Sequence, residues 1–183
     1  IVGRTDTDSQ IIGCTNEGTI ESKSTCNFGL TADAVPQATV YLGGICGYCR
    51  CSIIDCSNTG DITSNYNAYE KATAGIVARI VNAADNTVKN CTNSGNIIDN
   101  SARTPADSNI SKGDYNRELY VSGVAAIQGS STIDNCSNSG SITLGTDVKF
   151  VYVGGVVGKT NNPQTVLSNL TNSGQIKSTK GVR

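Results

Sequence analysis

One phrase, written five times, constrains this chain of 183 residues more than any other feature. It reads Cys14-Thr-Asn16-Glu-Gly18-Thr-Ile20, Cys56-Ser-Asn58-Thr-Gly60-Asp-Ile62, Cys91-Thr-Asn93-Ser-Gly95-Asn-Ile97, Cys136-Ser-Asn138-Ser-Gly140-Ser-Ile142 and Leu170-Thr-Asn172-Ser-Gly174-Gln-Ile176. A second phrase, Gly-[IV]-x-[GA], opens the following unit, as Gly44-Ile-Cys-Gly47, Gly75-Ile-Val-Ala78, Gly123-Val-Ala-Ala126 and Gly155-Val-Val-Gly158. Ile1-Val2-Gly3 is a copy without the leading Gly. A repeated unit of this size cannot bury its apolar face alone; stacking on its neighbours gives it a core, so such self-similarity specifies a solenoid. The closing phrases recur after 42, 35, 45 and 34 residues, and the variation is confined to the stretch from each closing Ile to the next opening Gly, which runs 24, 13, 26 and 13. Alternate coils therefore carry long insertions, which a stacked array displays along one edge.

Composition says what kind of coil. Gly, Asn, Ser and Thr supply 20, 19, 19 and 20 residues, while Met and Trp are absent and the apolar residues are largely Val and Ile. Turn formers between β-branched residues make short strands and corners rather than helices. The expected fold is all-β, a parallel β-helix of about five coils, roughly 24 Å long at ~4.8 Å per coil. Residues 1–183 read as one array, with phrases ending near 20, 62, 97, 142 and 176. Because it starts within an opening phrase, it is read as an excerpt of a longer repeat protein.

Stacked coils place like residues over like, so each repeat position becomes a column. Cys14, Cys56, Cys91, Cys136 and Leu170 form one, and Ile11, Ile53, Val88, Ile133 and Leu167 another; both are expected in the core. Asn16, Asn58, Asn93, Asn138 and Asn172 form a third, where a carboxamide can bond a turn carbonyl and the next Asn. Gly18, Gly60, Gly95, Gly140 and Gly174 follow where a corner is expected to need positive φ. Ile20, Ile62, Ile97, Ile142 and Ile176 return to the core. On the strand entering each opening phrase, Tyr41, Ala72, Tyr120 and Tyr152 share parity with Ile45, Ile76, Val124 and Val156, and the opposite face is apolar too. An apolar stripe facing outward needs a cover, either the insertions or a partner, which makes Tyr41, Tyr120 and Tyr152 candidate interface residues.

Four cysteines lie in the closing-phrase column, where Leu170 replaces the fifth, so that column asks for a small buried apolar group. Cys26, Cys46, Cys49 and Cys51 cluster around one coil and are candidates for one or two disulfides in an oxidising compartment; a zinc site from Cys46, Cys49, Cys51 and Cys56 is the alternative. Asn90, Asn109, Asn135 and Asn169 begin Asn-x-Ser/Thr sequons and are candidate glycosylation sites. The absence of His removes Ser-His-Asp and Cys-His catalysis. Acidic residues such as Asp6, Asp8, Asp55, Asp61, Asp85, Asp107 and Asp134 are scattered without a recurring pair, so neither a glycosidase-type carboxylate pair nor a calcium-roll motif is evident. A net charge of −1 gives no footprint for nucleic acid, and no apolar run is long enough for a membrane-spanning helix. No cofactor is called for.

The opening phrases Gly-Ile-Val-Ala and Gly-Val-Val-Gly, followed by Asn-Cys-Thr-Asn-Ser-Gly-Asn-Ile, resemble the GLUG-motif repeats of large secreted and surface-anchored proteins. The resemblance spans nearly the whole chain; Ala78 and Ala126 depart from it where the motif has its second Gly. It implies a β-helical stalk or adhesin region, extracellular or at the cell surface, whose role is structural presentation rather than catalysis. The partners implied are neighbouring coils or copies of the same protein, and host or matrix glycans or proteins. The other readings are a glycan- or protein-binding module using the insertions and the Tyr stripe, and a β-helical polysaccharide-active enzyme.

Overall fold

The computed structural model describes residues 1–7, 9–23, 39–65, 70–81, 86–100, 118–145 and 150–179, with Phe150 described by its backbone alone. Among these residues there are 24 strands and no helix, and every strand pair is parallel. The chain is a succession of short strands and corners that returns to its starting point once per coil, giving a parallel β-helix with five sheets. The first sheet stacks Thr39–Gly43, Glu70–Ala74, Glu118–Ser122 and Phe150–Gly154. The second stacks Val2–Arg4, Cys46–Cys49, Val77–Ile80, Ala125–Gln128 and Val157–Thr160. The third holds Gln10–Ile12, Ser52–Ile54, Thr87–Lys89, Thr132–Asp134 and Val166–Ser168. Thr15–Asn16, Ser57–Asn58, Thr92–Asn93, Ser137–Asn138 and Thr171–Asn172 make the fourth. The fifth holds Ile20–Ser22, Ile62–Ser64, Ile97–Asp99, Ile142–Leu144 and Ile176–Ser178.

Register follows the repeat phrases residue for residue: Ile11 pairs with Ile53, Asn58 with Asn93, and Ile97 with Ile142. The strands are short because a corner interrupts them every few residues. The corner between the third and fourth sheets is made by one residue of positive φ, Gly13 at 62°, Asp55 at 55°, Asn90 at 53°, and Asn135 and Asn169 at 51°. Asn and Asp tolerate this left-handed conformation better than other side chains, and Gly adopts it freely. Position and chemistry therefore match one residue before the Cys column.

The closing-phrase glycines have a different role from the one their position suggests: none of them has positive φ. A Cβ on Gly60, Gly95, Gly140 or Gly174 would lie 2.2, 2.1, 2.0 or 2.0 Å from the carbonyl oxygen of the equivalent Gly in the coil below. The close stacking of backbone on backbone, not a corner dihedral, excludes a side chain. The opening glycines are excluded by another part of the repeat: a Cβ on Gly44, Gly75, Gly123 or Gly155 would fall 2.6, 2.2, 2.3 or 2.4 Å from the Cγ of Asn58, Asn93, Asn138 or Asn172. The two repeat phrases touch each other across the interior of the coil.

Three apolar clusters fill the stack. The largest gathers Ile53, Val88 and Ile133, the cysteines Cys56, Cys91 and Cys136, and both Ile45, Ile76 and Val124 and their successors Cys46, Val77 and Ala125. Strand alternation would send Ile45 and Cys46 to opposite faces. They share a cluster because the chain bends at Gly44–Ile45, which also separates the Tyr41 column from the Ile45 column and corrects the shared parity expected of them. Tyr41, Ala72, Tyr120 and Tyr152 instead pack with Ala74, Ala78, Ala126 and Ile127, between the first and second sheets. The opposite face of the first sheet, Leu119, Val121, Val151 and Val153, packs on Ile97, Ile142 and Leu144 of the fifth. The interior strands of the first sheet are thus covered on both sides, which is why their sequence does not alternate.

The glycine contacts give a paired test. Gly95→Ala should lower stability by about 2 kcal/mol or more, the scale of overpacking that the backbone cannot relax. Gly18→Ala, whose Cβ would meet nothing nearer than Asn16 Oδ1 at 3.8 Å, should be neutral or gain up to ~1 kcal/mol from reduced freedom of the unfolded chain. Urea unfolding with unchanged m-values measures both.

Candidate functional site

The most heavily built polar feature is the Asn column. Asn16, Asn58, Asn93 and Asn138 each donate one Nδ2 hydrogen to the Oδ1 of the Asn one coil on, at 2.7, 2.7, 2.7 and 2.8 Å. Each of the five also donates to the carbonyl of the Gly two residues later, at 2.9 Å. Asn58, Asn93 and Asn138 are fully buried, and burial strengthens such a chain only while every member is satisfied. The column spends its hydrogen bonds on joining coils.

The cysteine column behaves as a set of small buried groups. Cys14, Cys56, Cys91 and Cys136 are free thiols, each within reach of the carbonyl two residues before it, at 3.2 to 3.5 Å. Leu170 is half-buried at the same position. Of the disulfide candidates, Cys46, Cys49 and Cys51 are also free, at 0, 0 and 1% exposure, with the Cys49 and Cys51 sulfurs 3.4 Å apart; Cys26 lies outside the described residues. No bridge joins the three described members, and all three pack within the main core. Among the described residues no set of three or more His, Cys, Asp and Glu is placed to hold a metal ion. Cys56 belongs to the next corner, where its thiol donates to the Ile54 carbonyl. Burial raises the Cys51 thiol from 9.0 to about 11 and also raises Cys56.

The outer corner carries a second ladder on the sequon residues. Asn90 donates to Asp55 at 2.7 Å, Asn135 to Asn90 at 2.8 Å and Asn169 to Asp134 at 2.8 Å, and all three asparagines are exposed. The hydroxyl of Ser168, followed by the amide of Asn169, holds the Asp134 carboxyl below the usual range. Asn109 lies outside the described residues, as do Asp8, Asp85 and Asp107.

The aromatic strip, expected to need a cover from the insertions or a partner, is covered in part by the neighbouring sheet. Tyr120 is 3% exposed and stacks on half-buried Tyr152, with ring centres 5.2 Å apart and planes at 13°. Lys159 lies 5.2 and 4.7 Å from those two ring centres and 3.5 Å from Glu118. Half-buried Tyr41 donates to Glu70 at 2.6 Å and accepts from Arg79 at 2.7 Å, while Arg79 and Glu70 pair directly. Burial, then the bond to Glu70, pushes the Tyr41 phenol up to about 12. Tyr120 is therefore corrected as a lateral contact residue: the neighbouring sheet covers it. Tyr41 and Tyr48, whose ring centres are 5.8 Å apart, make one partly accessible aromatic surface, and Arg4 and Arg50 lie 5.3 and 5.9 Å from the Tyr48 ring. Sequence reasoning missed Tyr48, Arg79 and Lys159. The signal was a column four residues after each opening Gly, together with Glu70 and Glu118, which stand five residues before the opening Gly75 and Gly123.

An ion pair inside the stack was also invisible. Lys71 Nζ and Asp99 Oδ2 are 3.0 Å apart and both side chains are buried, with the Thr73 hydroxyl 3.4 Å from the same oxygen. Burial lowers the Lys71 pKa. In the next coil the same two positions are Leu119 and Leu144, an apolar pair in the third cluster. An open cavity of about 220 Å³ lies beside Tyr41 and Leu42, lined also by Ile1, Val2, Gly3, Ile20, Gly43 and Gly47. It marks the one-strand gap beneath Thr39–Gly43, where the first sheet has four described strands and the others five.

No family model matches the chain, and no curated protein or solved structure matches it significantly.

Two outcomes follow from the buried groups. Lys71→Leu alone should cost about 3–5 kcal/mol by stranding a buried carboxylate, and Lys71→Leu with Asp99→Leu, the arrangement of the next coil, should recover wild-type stability or exceed it; thermal unfolding of the three proteins decides. The Cys51 thiol is neutral in the fold, so its contribution is complete below pH 9.0 and is lost as pH rises through about 11. Alkaline unfolding of Cys51→Val should accordingly lose less stability across that window than the parent does.

Proposed function

We propose that this chain is a non-catalytic structural segment of an extracellular or cell-surface protein, one that extends, spaces or presents other elements as part of a stalk, adhesin or filament. The observation that carries the reading is the buried Asn column, in which the polar groups best placed to act are consumed in joining coil to coil. A stack held this way has fixed length and direction while its insertions are free to vary, which suits a spacer. The resemblance of the phrases to GLUG-motif repeats supports the same reading and is its only support for an extracellular setting. Thiols buried as deeply as Cys56, Cys91 and Cys136 are shielded from oxidants and compatible with that setting.

A second reading, binding of glycans or proteins, is favoured by one observation: Tyr41 and Tyr48 remain partly accessible beside Arg4, Arg50 and Arg79, an aromatic and cationic surface of the kind that stacks on sugar rings or peptide side chains. A glycan array together with a turnover assay on a polysaccharide panel separates the possibilities. The scaffold reading expects no turnover and no hit. A hit abolished by Tyr41→Ser or Tyr48→Ser would move support to the binding reading, and turnover would overturn both.

A further inference from the structure

We infer that Cys49 and Cys51 become joined by a disulfide when this chain folds in an oxidising compartment, and that the bond clasps the corner between the second and third sheets. The inference rests on the extracellular setting proposed above; the free thiols already described are its reduced form. The two residues stand two apart, so their side chains leave the chain on one face, and the bend at Arg50–Cys51 turns them further toward each other. The Cys49 sulfur lies 3.4 Å from the Cys51 sulfur, 3.4 Å from the Cys51 nitrogen and 3.1 Å from the Cys51 carbonyl oxygen. Cys46, whose thiol also borders Cys49, begins the strand that Cys49 ends. An extended strand of that length sets their Cα atoms roughly 10 Å apart, beyond the reach of a disulfide.

The corresponding corner two coils on is clasped as well. Gln128 stands in register with Ile80, and Ile80 with Cys49, while Ser131 precedes Thr132 as Cys51 precedes Ser52. There the Gln128 amide donates to the Ser131 carbonyl and hydroxyl at 2.8 and 2.9 Å, and both residues are buried. One coil thus ties this corner with hydrogen bonds, and the other holds two touching sulfurs in the same place. The oxidant is a small-molecule disulfide such as oxidised glutathione. A thiolate of the pair attacks it and releases one thiol; the second thiolate then attacks the mixed disulfide and releases the other. One S–S bond forms, one breaks, and the two protons of the pair end on the released thiols.

The exchange belongs to the chain before its coil closes. In the fold a hydrogen bond with Cys46 and then burial raise the Cys49 thiol, and burial raises Cys51 to about 11, so neither supplies thiolate. Closing so short a loop needs no stacked coil. Cys56, Cys91 and Cys136, by contrast, are 35 and 45 residues apart along the chain and come together only as the coils stack and bury them, so they stay reduced.

Refolding the whole chain in a glutathione redox buffer, then alkylating it in denaturant without reductant and mapping the tryptic peptides by mass, tests the inference. Trypsin cuts after Arg50, so the bond should hold residues 24–50 to residues 51–71 as one species that reduction separates. Fragmentation should place the link on Cys49 and Cys51, with Cys46, Cys56, Cys91 and Cys136 alkylated. Cys46→Ala, which takes the residue found in register at Ala125, should keep the linked species, and Cys51→Ser, which takes that of Ser131, should abolish it. A chain that circular dichroism shows to be folded, yet in which Cys49 and Cys51 are both alkylated or either is bonded to another cysteine, overturns the inference. That result leaves the scaffold reading standing, whereas turnover or a glycan hit with the bond in place counts against that reading and not against the disulfide.

Discussion

A carboxamide pressed against a backbone is the interaction on which this structure depends. The Asn column needs its side chains within hydrogen-bonding distance from coil to coil, and the coil spacing of a parallel stack provides that distance. Holding the carboxamide there leaves no room on either side: the opening Gly lies against its Cγ, and the closing Gly of the next coil lies over the carbonyl of the Gly that accepts from it. Buried amides left unpaired cost about 1–3 kcal/mol each, so the repeat is forced to supply Asn and both glycines together or none of them. The phrase recurs as a unit for this reason.

Everything outside that triad has latitude. The Cys column accepts Leu170, the entering column accepts Ala72 among tyrosines, and a buried ion pair in one coil is answered by two leucines in the next. Insertions of different length interrupt the coil between the fifth and first sheets without disturbing the register on either side. A solenoid of this type separates two tasks: interior polar groups set spacing and direction, while the outer corners and the strip of Tyr41, Tyr48 and the neighbouring arginines carry whatever contact chemistry the surface has. The outer Asp55, Asn90 and Asn135 ladder illustrates the division, since its residues are chosen for positive φ and gain their hydrogen bonds as a consequence of stacking.

Much of the fold is legible in the sequence, and the misreadings share a cause. Columns defined by the phrase, Ile11 to Ile133, Cys56 to Cys136 and the Asn ladder, depend only on coil stacking, which self-similarity reveals. Gly60 and Gly95 mislead because a glycine for close approach and a glycine for positive φ look alike in one dimension; the residue that takes the corner, Asn90 or Asn135, stands out in the sequence only as the start of a sequon. Contacts that join non-equivalent parts of a coil leave no periodic trace. The opening Gly against Asn, Lys71 against Asp99, and Arg79 against Tyr41 and Glu70 each link positions that only the closed coil brings together. The parity expected of Tyr41 fails at a single bend, Gly44–Ile45, beyond which alternation starts afresh.

Amide hydrogen exchange resolved by NMR tests most directly whether the Asn ladder holds the coils together, because it reads the ladder itself. Side-chain NH2 groups of Asn58, Asn93 and Asn138 should exchange far more slowly than those of the exposed Asn90 and Asn96, with Asn16 and Asn172 intermediate, and backbone protection should peak in the middle coils and fall toward both ends. If the interior Asn carboxamides exchange as fast as the exposed ones while the backbone remains protected, the coils are held together by something else, and the Asn ladder is a consequence of the stack rather than its cause.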